Sequence, residues 1–182
     1  MINLMNPKWI MAMKNKCKYW LFFWFVLFVL LPVQAIGLTD KQIFIWIADE
    51  LKIEQQYDMP EIQYVTKEKL KDVFRKATKR SYDRWVKEYG KEKADELLDF
   101  YLDEAIGLFV PETCELYIGN FLESCKMESI VAHELTHFLQ HMEKGPIDSK
   151  KYDAENKLLF REMQAGKIER EYMEKFCGKE KN

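Results

Sequence analysis

Glycine and proline are scarce, at 7 and 5 of 182 residues, which excludes collagen-like and low-complexity chains. There is no basic excess either, since 28 Lys and Arg stand against 30 Asp and Glu. No acidic residue precedes Asp40, and Lys8, Lys14, Lys16 and Lys18 are the only charges before residue 36. Residues 36–182 therefore hold 24 basic and 30 acidic side chains, a net charge of −6 with His neutral. Such a body lacks the concentrated positive charge that nucleic-acid phosphates require, so no nucleic-acid partner is expected. No CxxC spacing occurs among the four cysteines, which removes the usual thiolate zinc sites. Internal repeats and linkers are absent as well, and the length suits one domain. What is abundant is aromatic residues, 14% of the chain, too many for a disordered protein.

The longest apolar run, Tyr19 to Leu31, follows Lys14, Lys16 and Lys18 and leads into Pro32-Val33-Gln34-Ala35. A positive n-region, a short apolar h-region and small residues at −3 and −1 are the layout of a secretory signal peptide, with cleavage after Ala35. The competing reading is a retained N-terminal anchor, but the run falls short of the roughly 20 residues a spanning helix needs. Either way the body, residues 36–182, is expected outside the cytoplasm, periplasmic or secreted, with membrane contact only through an uncleaved leader. Export makes disulfides plausible. Cys17 would leave with the leader, and of Cys114, Cys125 and Cys177 the pair closest in sequence, Cys114–Cys125, is the expected bridge.

The body opens with a helix capped by Thr39 or Asp40, in which Ile43, Ile47 and Leu51 recur at helical spacing. Glu61 to Val65 alternates as a half-buried strand does, and the charged stretch from Thr66 to about Asp103 predicts two or three amphipathic helices. Ala105 to Phe109 and Cys114 to Ile118, joined by a turn at Val110 to Thr113, predict a β-hairpin. A helix from Met127 to about Lys144 ends at Gly145-Pro146, and a last one covers Tyr152 to Phe176. The expected fold class is α+β, with a small antiparallel sheet.

The chemistry is concentrated at His133-Glu134-Leu135-Thr136-His137, an H-E-x-x-H pattern. Residues four apart share a helix face, so His133 and His137 can offer two imidazoles to one tetrahedral Zn²⁺. Glu134 is turned about 100° around the helix and so is free to act as general base on a zinc-activated water. Shuffling this composition would give the pattern in roughly one sequence in 200. Ile130, Val131, Leu135, Phe138 and Leu139 keep the motif on an unbroken amphipathic helix. His141, one turn further on, reads as a solvent-facing residue rather than a ligand.

No histidine follows His141, so the third ligand is a carboxylate or lies upstream. On the last helix Glu155, Leu158, Leu159, Glu162, Ala165, Glu169 and Tyr172 fall along one side. An unpaired carboxylate on an inward stripe is costly, and a metal would account for it. Glu162 is the leading candidate, with Glu155, Gln164 and Glu169 as rivals. Ala165-Gly166, both small, would let this helix come close to the motif helix.

The run His133 to Gln140 (HELTHFLQ), followed by Glu162-Met163-Gln164-Ala165 on a later helix, resembles the minimal gluzincin-type zincins, HExxH metallopeptidases of bacterial type. The stretch Gly107 to Thr113 and Leu116 to Ile118 is similar to their edge-strand region. The resemblance spans about residues 105–172; many relatives carry Glu-Ala where this chain has Gln164-Ala165. It implies a zincin-like fold, His133, His137 and Glu162 as zinc ligands, Glu134 as base, and Glu115 to Ile118 as the strand that holds an extended peptide substrate. Tyr172 is a candidate oxyanion partner. The expected function is an exported zinc metallopeptidase acting on a peptide or protein; the alternative is a catalytically silent zinc-binding domain that serves as an envelope interaction or adaptor protein.

Overall fold

The computed structural model describes residues 37–54, 57–147 and 154–178. The predicted leader at 1–35 lies outside them. The described residues form six helices and three strands: α1 (Asp40–Leu51), β1 (Ile62–Val65), α2 (Lys67–Ala77), α3 (Lys79–Tyr89), α4 (Lys91–Glu104), β2 (Gly107–Val110), β3 (Glu115–Gly119), α5 (Ser124–Lys144) and α6 (Ala154–Phe176). None of these helices is long and apolar enough to cross a membrane. All belong to one unit, Gly37–Asn182.

The α1 start is set by a capping box: Gln42 N–H donates to the Thr39 hydroxyl, and Thr39 N–H donates to the Gln42 side chain at 2.8 Å. Thr66 caps α2 by the first of these bonds alone, its hydroxyl accepting from Lys69 N–H. The charged stretch resolves into three helices, α2 to α4, and α3 buries no side chain fully. The hairpin forms as expected, displaced by one or two residues, with Cys114 in the left-handed region (φ 54°) at its turn.

The sheet departs from the antiparallel expectation. Its order is β1-β3-β2, and β1 runs parallel to β3, with Ile62 opposite Leu116 and Val65 opposite Gly119. A parallel partner needs a long crossover, which α2 to α4 and β2 supply. The α+β class stands, with a mixed sheet.

Alternation along the strands divides two hydrophobic layers. Phe109, Leu116 and Ile118 face the main core with Ile43, Ile47, Val131, Leu135, Leu139, Ile168 and Tyr172. Tyr117, with Leu108 and Val110, faces Leu70, Val73 and Phe74 on the other side. Each fully buried Ile or Leu contributes about 1.5–3 kcal/mol, so α5, which lies in the larger core along most of its length, is held rigidly.

The disulfide joins Cys125 to Cys177, Cα atoms 5.8 Å apart, and Cys114 is free. This corrects the expected Cys114–Cys125 pair. Cys114 sits at the turn end of the hairpin, and the five residues of β3 carry the chain about 17 Å away before α5 begins. Its thiol points instead at the Pro111 carbonyl. Cys125, at the α5 start, is left beside the end of α6.

Candidate metal centre

Helices α5 and α6 lie antiparallel, with Cys125 beside Cys177, His133 beside Glu169, and Gln140 beside Gln164. This register brings His133, His137 and Glu162 together, each offering one donor atom within 4.8 Å of the others. His133 Nε2 and His137 Nε2 are 3.1 Å apart; the two Glu162 oxygens lie 3.6 Å from the first and 3.4 Å from the second. Donors at 2.0–2.1 Å from a tetrahedral zinc are separated by about 3.3 Å, and the Nε2–Nε2 distance and the two imidazole–carboxylate distances, which end on different Glu162 oxygens, lie near that spacing. Glu155, the rival on the first turn of α6, has its side chain outside the described residues.

Both rings are oriented from behind. The Nδ1 of His133 lies 3.1 Å from Glu169 Oε2, and Lys126 Nζ donates to Glu169 Oε1 at 2.7 Å. The Nδ1 of His137 lies 3.1 Å from Gln140 Oε1, while Gln140 Nε2 donates to the Arg161 carbonyl and to Gln164 Oε1, both at 3.1 Å. With Nδ1–H donated in this manner, each Nε2 lone pair is turned to the ligand triangle. Glu169 and Gln164, rivals for the third ligand, instead contact His133 and Gln140 from behind.

Burial alone would lower the pKa of both histidines. The Glu162 hydrogen bonds and the neighbouring carboxylates outweigh it, pushing His133 up to about 10 and raising His137. Two protonated rings cannot face one another across 3.1 Å, so the pair shares one tightly held proton in the metal-free protein. The same contacts hold Glu162 well below the usual carboxylate range.

Glu134 is buried, and its pKa is raised by that burial although His137 and His133 oppose the shift. It lies against β2 at Gly107, where a Cβ would come within 2.8 Å of Glu134 Oε1 and 2.5 Å of Ile130 Cγ2. Only glycine permits this approach of strand to helix.

The triangle and Glu134 line a cleft of about 770 Å³, walled on one side by Gly107 to Phe109 of β2 and on another by Phe74, Ser81 and Tyr101 of α2 to α4. The wall is stiffened by stacking of Tyr101 between Phe74 and Trp85, with ring centroids 6.4 and 5.6 Å apart. His141 is no part of the triangle; it lines the cleft with its ring 5.6 Å from Phe109.

Four expectations are corrected. Glu115 to Ile118 is the central strand, its hydrogen-bonding edges taken by β1 and β2, and cannot receive a peptide; β2 is the strand at the cleft. Tyr172 is fully buried, packed against Trp46 and Phe176, and donates its hydroxyl to Glu128 at 2.7 Å, far from any oxyanion role. Leu158, Leu159 and Glu162, placed on the inward stripe, are all exposed, the two leucines to 53% and 59%, and the buried part of α6 begins at Ala165. Gly166 is not needed for helix approach, since a Cβ there would meet only Arg170 at an ordinary 3.5 Å. The roles of Gln140, Gly107 and Glu169 were missed; Gln140 carried one signal, its place three residues after His137. No protein-family model, no curated protein and no solved structure matches this chain.

Proposed function

We propose that this chain is a zinc-dependent metallopeptidase of zincin-like design, exported from the cytoplasm. The observation that carries the reading is the convergence of His133 and His137, from an H-E-x-x-H helix, with Glu162 of α6, one donor atom of each within 4.8 Å of the others, in a cleft that Glu134 also lines. His133, His137 and Glu162 would hold Zn²⁺, which when bound supplies Lewis acidity toward a water and a peptide carbonyl.

The other groups act as follows. Glu169 and Gln140 fix the imidazole tautomers and orientation. Glu134, whose pKa burial raises, takes a proton from the attacking water and returns it to the leaving amine. No described strand pairs with the outer edge of β2, so its backbone can pair with an extended peptide by β-augmentation. The Cys125–Cys177 bridge supports export, because disulfides persist in oxidising compartments.

The test is metal analysis of the purified protein beside His133→Ala, Glu162→Gln and Glu134→Gln, with peptide hydrolysis assayed on each. About one zinc per chain in the parent and Glu134→Gln, with marked loss in the other two, is expected. Hydrolysis should fall by about 10²–10⁴ in Glu134→Gln. A parent that stays free of zinc after reconstitution would end the peptidase reading.

A further inference from the structure

Arg161 precedes the proposed ligand Glu162 on α6 and lines the same cleft. Its backbone carbonyl is held by Gln140, and one guanidinium nitrogen, Nη2, donates to the Gly145 carbonyl at 2.8 Å, at the end of α5. That single contact fixes the fork in place. The remaining N–H groups meet no carboxylate among the described residues: Glu162 is turned to the two histidines, and no ion pair joins Arg161 to Glu112 across the cleft. Pro146, Ile147 and Leu158 line the cleft with it.

The guanidinium is thus tied at one nitrogen, has no carboxylate partner among the described residues, and keeps its other donors free for a group in the cleft. Capping of α5 explains one N–H group and leaves the fork unexplained. The planar guanidinium matches a carboxylate in two parallel hydrogen bonds, and its contact with the Gly145 carbonyl already limits its freedom. We propose that Arg161 anchors a substrate carboxylate in the metal cleft, so that the preferred substrates are peptides with an anionic group beside the bond to be cut. This rests on the peptidase reading for the reaction, but not for the binding. The carboxylate comes either from a peptide C-terminus or from an Asp or Glu side chain.

Three probes separate those sources: N-acetyl-Ala-Ala-Ala as the free acid, the same peptide as its C-terminal amide, and N-acetyl-Ala-Glu-Ala amide. Each is titrated into the full-length, zinc-supplemented Glu134→Gln protein while the Arg161 Nε–H signal is followed by NMR. Selective binding of the free acid assigns the site to a terminal carboxylate, and binding of the glutamyl amide assigns it to an acidic side chain. Arg161→Gln should weaken the bound probe by about 10–100-fold, the range for a lost charge-assisted pair. In the active protein the same change should raise KM with little effect on kcat. Should Arg161→Gln lose its fold through the Gly145 contact, Arg161→Lys, which keeps one donor and the charge but not the fork, is measured instead and should bind more weakly than the parent. Equal binding of all three probes, no binding of any probe, or an unchanged affinity in the folded Arg161 variants would overturn the proposal. Acid-selective binding without any zinc-dependent hydrolysis would reject the peptidase reading and leave the carboxylate site standing.

Discussion

The Cys125–Cys177 bridge closes a loop of 52 residues that contains all three proposed metal ligands. Closing a loop of that length removes about 14 cal/mol/K from the unfolded chain, or about 4 kcal/mol at 25 °C. Cys177→Ser should therefore lower stability by about 4 kcal/mol and Tm by about 8–16 °C, at 2–4 °C per kcal/mol. Cys114 caps nothing and bridges nothing, so Cys114→Ser should stay within about 0.5 kcal/mol of the parent. The assay is guanidinium unfolding of the two variants and the parent without reductant, repeated with reductant, which should bring the parent down to the level of Cys177→Ser and leave that variant unmoved. Because the bridge joins the ends of the two ligand-bearing helices, zinc affinity should fall in parallel. A loss of stability in Cys114→Ser comparable to that in Cys177→Ser would refute the reasoning, as would a Cys114–Cys125 cross-link in a non-reduced digest.

Two further outcomes follow from the site. Gly107→Ala places a methyl group against Ile130 and Glu134, so it should cost about 1–3 kcal/mol and reduce turnover by displacing β2 or the base; an unchanged guanidinium midpoint and kcat would contradict the close packing. Zinc must displace the proton shared by His133 and His137, whose hold reaches to about pH 10 at His133, so affinity should rise with pH from neutrality toward that value and fall as pH falls. Calorimetry in two buffers of different ionisation enthalpy should count about one proton released per zinc near pH 7.5, and none released would show that the rings are already neutral.

The local features were legible because they depend on near neighbours in sequence. The Thr39 cap, the amphipathic helix of His133 to Gln140 and the hairpin around Pro111 each need only a period or a turn, and each formed. Strand direction is a different matter. Four residues at Ile62–Val65 state that a strand exists, but whether it joins β3 parallel or antiparallel is decided by the path of α2 to α4 around the sheet. Cysteine pairing failed for a related reason: eleven positions in sequence look short until a rigid strand is placed between them. The exposed start of α6 follows from helix lengths. In the antiparallel register Leu158 and Leu159 stand level with the last turn of α5, beyond which that helix offers no surface to pack on.

The third ligand shows how far a helical stripe can carry an argument. Glu162 and Glu169 lie on nearly the same side of α6, two turns apart, and both must face α5, since one converges on Nε2 atoms and the other on an Nδ1. Periodicity sees the shared side and is blind to which imidazole nitrogen each carboxylate meets. That distinction is set by the slide of one helix along the other, for which the sequence offers no local mark. A slide of one helical turn, about 5.4 Å, would move Glu169 toward the place of Glu162 and leave His133 without its support. The interactions that fix the slide are therefore part of the site, although none touches the metal position: the Cys125–Cys177 bridge at one end, Gln140 holding the Arg161 carbonyl near the other, and the Lys126–Glu169 pair between them.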